Sequence, residues 1–289
     1  MEYHLLGART GLRVSSLALG TGRLDVAEAP RIFAAYLDAG GNFLDTSSAY
    51  LGGEAEELLG AFLAGGQERD RLVVASKYGR TPHGKGTSPA SATSTGRVAA
   101  VGSHRKAMQV EVEGSLRRLR TDRIDVYFAH FDDGLTPMDE IMRGLDDLVR
   151  AGKILHAGLS NFPAWRCATA ATLADARGWT PLAALQVLYN ARERDVEREL
   201  LPFARAAGLG VMAYSPLGGG VLAKAHPAGK LLGWIASRGV IPVLGPRTEA
   251  QVRDLLVAAH DPAVDLDAFA PPALGYPHDI LAQARAAYL

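Results

Sequence analysis

Short apolar runs alternate with stretches of helical apolar spacing along nearly the whole chain, and this alternation restricts the fold more than any other feature. "SSLALG" precedes "APRIFAAYLDAGG", and "NFLD" precedes "GEAEELLGAFLAGG". "LVVASK" is followed by a polar loop over about residues 78–103 and then by "HRKAMQVEVEGSLRRLR". The pairs continue with "IDVYFAH" and "PMDEIMRGLDDLVRAGK", "ILHAGLS" and "PAWRCATAATLADARG", and "AALQVL" and "VERELLPFARAAG". They end with "LGVMAYS" and "KLLGWIASRG", then "VIPVLG" and "EAQVRDLLVAAH". The "VERELLPFARAAG" stretch is expected to be one helix despite its internal Pro202. Strands apolar on both faces and separated by helices imply a parallel sheet covered by helices. About eight such units in 289 residues fit a closed barrel. The competing doubly wound sheet carries Gly-x-Gly-x-x-Gly after its first strand. Here Gly20-Thr21-Gly22-Arg23-Leu24-Asp25 lacks the third glycine. Ahead of the barrel, "MEYHLLGARTGLRV" reads as a hairpin turning around Gly7 to Gly11. The expectation is an α/β fold, a (β/α)8 TIM barrel with an N-terminal β-hairpin, as a single domain over residues 1–289.

Composition narrows the function. Apolar residues make up 48%, enough for a large core. Basic and acidic residues balance at 31 each, whereas a general nucleic-acid binder normally shows a basic excess. Cys167 is the only cysteine, so no internal disulfide forms, and no Cys/His cluster has metal-binding spacing. A lone thiol suits a reducing compartment. The start shows no basic segment followed by an apolar stretch, and no run of about 18 apolar residues occurs. The expectation is a cytoplasmic protein with no metal, membrane or nucleic-acid partner. Oligomeric state is not legible.

Catalytic groups of such barrels stand at the C-terminal ends of the strands. The second barrel strand ends at Asp45, with Tyr50 five residues on, the third at Lys77 and the fourth at His130. The next ends offer Ser160 and Asn161, Gln186, and Tyr214 with Ser215. Consecutive strands are neighbours, so Asp45, Lys77 and His130 converge beside Tyr50. Taken singly, each has a structural role to hand: a turn cap for Asp45, packing for Tyr50, a surface charge for Lys77, a core histidine for His130. Together they support one chemistry. A phenol, with a reference pKa of about 10, is a poor proton donor at neutral pH. A nearby ammonium lowers that pKa, and Asp45 can hold the ammonium charged and oriented. A neutral imidazole from His130 can hydrogen-bond a substrate carbonyl, and Tyr50 can protonate it as general acid. This set contains no nucleophile–base pair. It suits carbonyl reduction with hydride from a cofactor.

The stretches "FLDTSSAY…GEAEELLG", "SKYG", "SLRRLRTDRIDVYFAH", "GLSNF", "LQVLYN", "MAYSPLGGGVL" and "VIPVLGPRTEAQ" resemble the aldo-keto reductase family. They fall in order from about Leu5 to Leu256. "SHRKAM", "LTPMDEIMRGLDDLVRAGKI" and "RGWTPLAALQV" are similar to its aryl-alcohol-dehydrogenase-like branch. The resemblance implies a (β/α)8 barrel that reduces a small-molecule aldehyde or ketone with NADP(H), and it carries the catalytic tetrad onto Asp45, Tyr50, Lys77 and His130. It implies that Ser160, Asn161 and Gln186 bind the nicotinamide carboxamide and that Tyr214 stacks on the ring. Ser215, Leu217 and Gly219, within the Gly218-Gly219-Gly220 loop, match the pyrophosphate-binding segment. Gly245, Arg247, Thr248, Gln251 and Asp254 match the segment that holds the adenosine and its 2′-phosphate. Pro246 replaces a usual small or hydroxyl residue, and Leu255 replaces a frequent Asn, so preference for NADP over NAD rests mainly on Arg247.

Between Leu222 and Leu231, "AKAHPAGK" stands where the family usually has a stretch some tens of residues longer that folds over the cofactor. Either the chain has lost this stretch or residues are missing at the junction; the second is expected, because so short a helix would cover its strand poorly. The 80–103 loop, the 131–136 loop, Trp165 and the tail from Ala268 are expected to line the substrate pocket. Two alternatives remain open: a non-catalytic or slow NADP(H)-binding subunit like those of ion channels, and a barrel enzyme using Lys77 as a Schiff-base amine.

Overall fold

The computed structural model describes residues 1–66, 69–79, 101–259, 275, 277–278 and 280–281. The chain opens with strands β1 (Tyr3–Leu5) and β2 (Arg13–Ser15), paired antiparallel. Eight strands follow, each short and buried. They are β3 (Ala18–Gly20), β4 (Phe43–Asp45), β5 (Val73–Tyr78), β6 (Ile124–Ala129), β7 (Ile154–Ser160), β8 (Leu182–Leu188), β9 (Gly210–Tyr214) and β10 (Ile241–Leu244). They close in the order β10-β3-β4-β5-β6-β7-β8-β9, and all eight pairs are parallel. This is the expected (β/α)8 barrel with its N-terminal hairpin.

Side chains alternate between the two faces of a strand, so each barrel strand feeds two apolar layers. Phe43, Val73, Ala75, Val126, Phe128, Ala184, Met212 and Val243 fill the interior. Leu44, Val74, Tyr127, Leu159 and Leu185 face the surrounding helices and pack with Ile32, Leu59, Met108 and Ile141. Burying one such side chain contributes roughly 1.5–3 kcal/mol. Leu6 and Val14 of the hairpin belong to the inner cluster, against Phe43, Val73 and Ile241, which begin their strands or nearly so. The hairpin therefore plugs the N-terminal end of the barrel. Gly7, at φ +75°, bridges to Leu209, and a Cβ there would come 2.4 Å from the Gly210 nitrogen. Access to the interior is left to the C-terminal mouth.

Local signals set the helix ends. The helix Arg105–Leu119 is capped by His104, whose ring accepts from the Ala107 N–H at 3.3 Å. The helix Glu249–Ala258 is capped by Thr248, which accepts from the Gln251 N–H at 3.3 Å. Around Pro202 the structure corrects the expected single helix. Asp195–Glu197 forms a separate 3-10 turn, and the α-helix runs only Leu200–Ala207. Pro202 thus falls in the first turn, where an amide has no intrahelical acceptor to lose.

The 3-10 turn Leu222–Lys224 precedes the helix Ala228–Ala236. This nine-residue helix buries Leu231, Leu232, Trp234 and Ile235. Helices Glu54–Ala64 and Arg105–Leu119 meet at Gly60, where a Cβ would stand 2.1 Å from the Arg118 carbonyl oxygen. Gly60→Ala is expected to force this backbone contact apart and lower stability by about 1–3 kcal/mol. Urea unfolding of the variant beside the parent protein measures the change; an unaltered midpoint would contradict the contact.

Candidate active site

The inward-facing rows of the barrel change character as they climb. Val73 and Ala75 are followed two residues on by Lys77, Phe43 by Asp45, Phe128 by His130, Ala184 by Gln186 and Met212 by Tyr214. The same period of two that packs the interior delivers these polar groups to the mouth. Lys77 is fully buried and Asp45 is 2% exposed. The Lys77 ammonium donates to both Asp45 carboxylate oxygens at 2.7 Å and to the Thr46 carbonyl at 2.8 Å. The Gln186 amide donates to Asp45 Oδ1 at 2.8 Å. Burial is the largest single influence and pushes the ammonium down, but the charges and hydrogen bonds of Asp45 and Tyr50 together outweigh it, so the net direction is up. Lys77 is therefore held as a cation.

Residues 46–50 wrap over this pair. The Thr46 N–H donates to the Ala75 carbonyl at 2.9 Å, the Ser48 N–H to the Lys77 carbonyl at 3.2 Å, and the Tyr50 N–H to the Ser47 carbonyl at 3.1 Å. Thr46 also accepts from the Thr21 hydroxyl at 2.8 Å. Tyr50 is left half-buried, its ring centroid 5.0 Å from the Lys77 Nζ and edge-on to the His130 ring at 5.8 Å. Ser47 Oγ accepts from the Ala49 N–H at 3.3 Å and lies 3.1 Å from His130 Nδ1. Ser47 Oγ also lies 3.5 Å from the Lys77 carbonyl oxygen; when its proton is directed to the nearer Nδ1 instead, the imidazole carries its hydrogen on Nε2, as a donor needs. Phe131 stacks on the other side of the ring at 4.8 Å.

The remaining strand ends form one network. Asn161, at φ 59°, donates to the His130 carbonyl and to Ser160 Oγ, both at 3.0 Å, and accepts from the Tyr214 hydroxyl at 2.9 Å. Ser215, at φ 53°, has its carbonyl held by the Asn190 amide at 3.1 Å. Two non-glycine residues in this sparsely populated region mark a locally constrained mouth.

A cleft of about 630 Å³ opens from this mouth. Asp45, Tyr50, Tyr214, Ser215, Leu217, Gly219, Gly245, Arg247, Gln251 and Asp254 line it. Pro246 and Leu255 also line it. Lys77, His130, Ser160, Asn161, Gln186 and Thr248 are not among its lining residues; Thr248 acts as the helix cap described above. Arg23 lines the cleft and was missed by the sequence reading. It is exposed, and a Cβ on Gly219 would stand 3.5 Å from its Nη1. The strand-end rule, applied also to the residues just after Gly20, would have found it.

Asp133 pins the 131–136 loop, accepting from the N–H groups of Ser103, Leu135 and Thr136 and from the Thr136 hydroxyl. Against the cost of burial, these bonds hold its carboxyl down at about 2. Neither this loop nor Trp165, which is 65% exposed, lines the cleft. Residues 80–100 and most of the tail from Ala268 lie outside the described residues. Among the described residues no group of three or more His, Cys, Asp or Glu could hold a metal ion, and no helix is long and apolar enough to cross a membrane.

Residues 14–233 match the model of the aldo/keto reductase family. A norsolorinic acid reductase of Aspergillus flavus is 35% identical over 234 residues, covering 76% of this chain and 58% of that protein. An aryl-alcohol dehydrogenase of Pestalotiopsis microspora is 33% identical over 231 residues, covering 76% and 58%. The chain thus spans a little over half the length of these relatives. An uncharacterized oxidoreductase of Bacillus subtilis, YrpG, is 35% identical over 305 residues, covering 89% of this chain and 91% of that protein. An alignment longer than this 289-residue chain means that the relative carries residues with no counterpart here.

Replacing Lys77 by Met leaves the Asp45 carboxylate buried with only the Gln186 amide and is expected to cost about 3–5 kcal/mol of stability. Lys77→Met/Asp45→Leu should recover a large part of that loss, because the orphan charge goes too. Chemical denaturation of the three proteins reads the difference; equal destabilisation in both variants would contradict a paired charge.

Proposed function

The chain belongs to the aldo/keto reductase family, in its aryl-alcohol-dehydrogenase-like branch, and from that premise we propose that it is an NADPH-dependent oxidoreductase that reduces an aldehyde or ketone to an alcohol. The observation that carries this reading is the meeting of a half-buried phenol with a fully buried, carboxylate-paired ammonium beside a cleft that Tyr50 and Asp45 line.

The donor set of the cleft fits a dinucleotide. Arg23 and Arg247 line it together with Ser215 and with Gly219 and Gly220 of the glycine turn. Planar guanidinium and backbone N–H donors suit phosphate oxygens. Tyr214, Ser160, Asn161 and Gln186 would hold the nicotinamide end; Gln186 keeps its amide nitrogen on Asp45 and has its oxygen to offer. Ser215, Leu217, Gly219 and Arg23 would hold the pyrophosphate. Gly245, Arg247, Gln251 and Asp254 would hold the adenosine end, and Thr248 would fix the helix that presents them. When bound, NADPH supplies the hydride.

The rest of the chemistry falls to side chains of this chain. His130 donates from Nε2 to the substrate carbonyl oxygen and orients it. Negative charge developing on that oxygen is met by donors already in place, without reorganisation. Tyr50 delivers the proton. Lys77 favours the phenolate that remains, and Asp45 keeps Lys77 charged and aimed. Phe131 stacks on the His130 ring and would help hold its orientation.

Turnover is measured by NADPH consumption with a panel of aromatic and aliphatic aldehydes. Tyr50→Phe is expected to lower kcat by about a hundredfold or more, as loss of a general acid requires, with NADPH binding retained. NADPH binding without turnover in the parent protein would favour the non-catalytic alternative, and absence of NADPH binding would overturn the cleft assignments. Arg247→Ala is expected to weaken NADPH binding by roughly tenfold or more, the worth of a charge-assisted hydrogen bond, and to leave NADH binding nearly unchanged. Fluorescence titration with both nucleotides checks the difference, and equal weakening would place Arg247 away from the 2′-phosphate.

A further inference from the structure

One carboxyl group next to the mouth has no part in the reaction above. Glu111, on the helix Arg105–Leu119, is partly buried with its carboxyl turned onto two strand-end segments. Its Oε2 lies 2.6 Å from Ser48 Oγ, and its Oε1 accepts from the Gly79 N–H at 3.2 Å. Ser48 is two residues ahead of Tyr50, and Gly79 is two residues beyond Lys77. Ser48 Oγ also lies 3.0 Å from the Lys77 carbonyl oxygen. A hydroxyl has one proton and cannot donate to both. When Glu111 is protonated, its O–H donates to Ser48 and Ser48 donates to the Lys77 carbonyl. When Glu111 is ionised, the Ser48 proton turns to the carboxylate and the bond to the Lys77 carbonyl is lost.

We propose that Glu111 is a positioning residue for the reaction: through Ser48 and Gly79 it fixes the turn carrying Tyr50 against the end of the strand carrying Lys77. The inference rests on the reductase reading above. Among the described residues, four other titratable groups face Glu111. Glu56, on the helix Glu54–Ala64, is fully buried, paired with Arg118 and accepting from Ser76 at 2.5 Å. Arg118 stands on the same helix as Glu111. Tyr78 on β5 and Tyr127 on β6 are buried phenols that burial raises well above their ordinary range. Burial also pushes the Glu111 carboxyl up, to about 7; Ser48 and Gly79 oppose this, Glu56 adds to it and Arg118 opposes it. The sign follows: below about 7 the acid form predominates and the full chain to the Lys77 carbonyl is made, and above it that chain opens.

The test uses the full chain and measures kcat, KM and NADPH affinity from acid to alkaline pH for the parent protein, Glu111→Gln, Glu111→Leu and Ser48→Ala. Glu111→Leu and Ser48→Ala are expected to lower kcat by roughly tenfold with NADPH affinity unchanged, since each removes a bond that fixes the turn. Glu111→Gln keeps one donor and one acceptor. It should hold kcat within roughly threefold of the parent protein's acid-side value and lose the fall in kcat that the parent protein shows as pH rises through neutrality. Near-UV circular dichroism verifies folding; should Glu111→Leu not fold, Ser48→Ala and the Glu111→Gln pH profile decide. Folded variants with parental kcat, or a neutral inflection that survives in Glu111→Gln, would overturn the positioning role alone. A parent protein that binds NADPH and reduces no carbonyl would instead overturn the reductase reading and the proposal with it.

Discussion

A lysine ammonium with no exposure to solvent must have a counter-charge, and the contact between Lys77 and Asp45 is the constraint around which the mouth of this barrel is arranged. The pair joins the ends of adjacent strands and fixes their register. A slip of one residue in β4 or β5 would turn one charge outward and strand the other inside. Gln186 reaches the same carboxylate from β8, so three strands depend on one acid. The pair is also what makes a buried cation available to Tyr50, and stability and chemistry here draw on the same two residues.

The polar run "FLDTSSAY" looks extravagant for a strand end in a buried barrel, yet nearly every group in it has a partner. Asp45 holds Lys77, and Thr46 accepts from Thr21 while offering its carbonyl to Lys77. Ser47 reaches His130, Ser48 reaches Glu111 and the Lys77 carbonyl, and Tyr50 stands beside the ammonium. The turn is a scaffold of short bonds, and the phenol at its end inherits that rigidity. Asn161 and Ser215, both at positive φ, show the same economy across the mouth, where a strained backbone is held by side-chain bonds to neighbouring strands.

The barrel was legible because its strands are apolar on both faces and each helix carries its own periodic face. Within single elements the reading failed where a local rule outweighed periodicity. Pro202 does not sit inside a helix, because the chain makes a separate turn first and begins the helix late enough to place it harmlessly. Asp45, Lys77 and His130 could be named from strand ends, and Tyr50 from its place just past one. Arg23, three residues past the end of β3, yields to the same rule, whereas Glu111 could not be named, since it reaches in from a helix.

The sequence by itself determined the order of strands and helices, the hairpin ahead of them and the parity by which each inward apolar row ends in a polar residue. All of these are periodic or local properties, written in the spacing of neighbouring residues. Tertiary structure alone decided which polar atoms meet: that Lys77 is wholly dry, that Gln186 leans on Asp45, that Ser47 rather than a backbone group meets the His130 ring, and that Glu111 lies between the segments carrying Tyr50 and Lys77. Those contacts depend on barrel closure and on fractions of an ångström between residues far apart in the chain, and no one-dimensional pattern carries such distances.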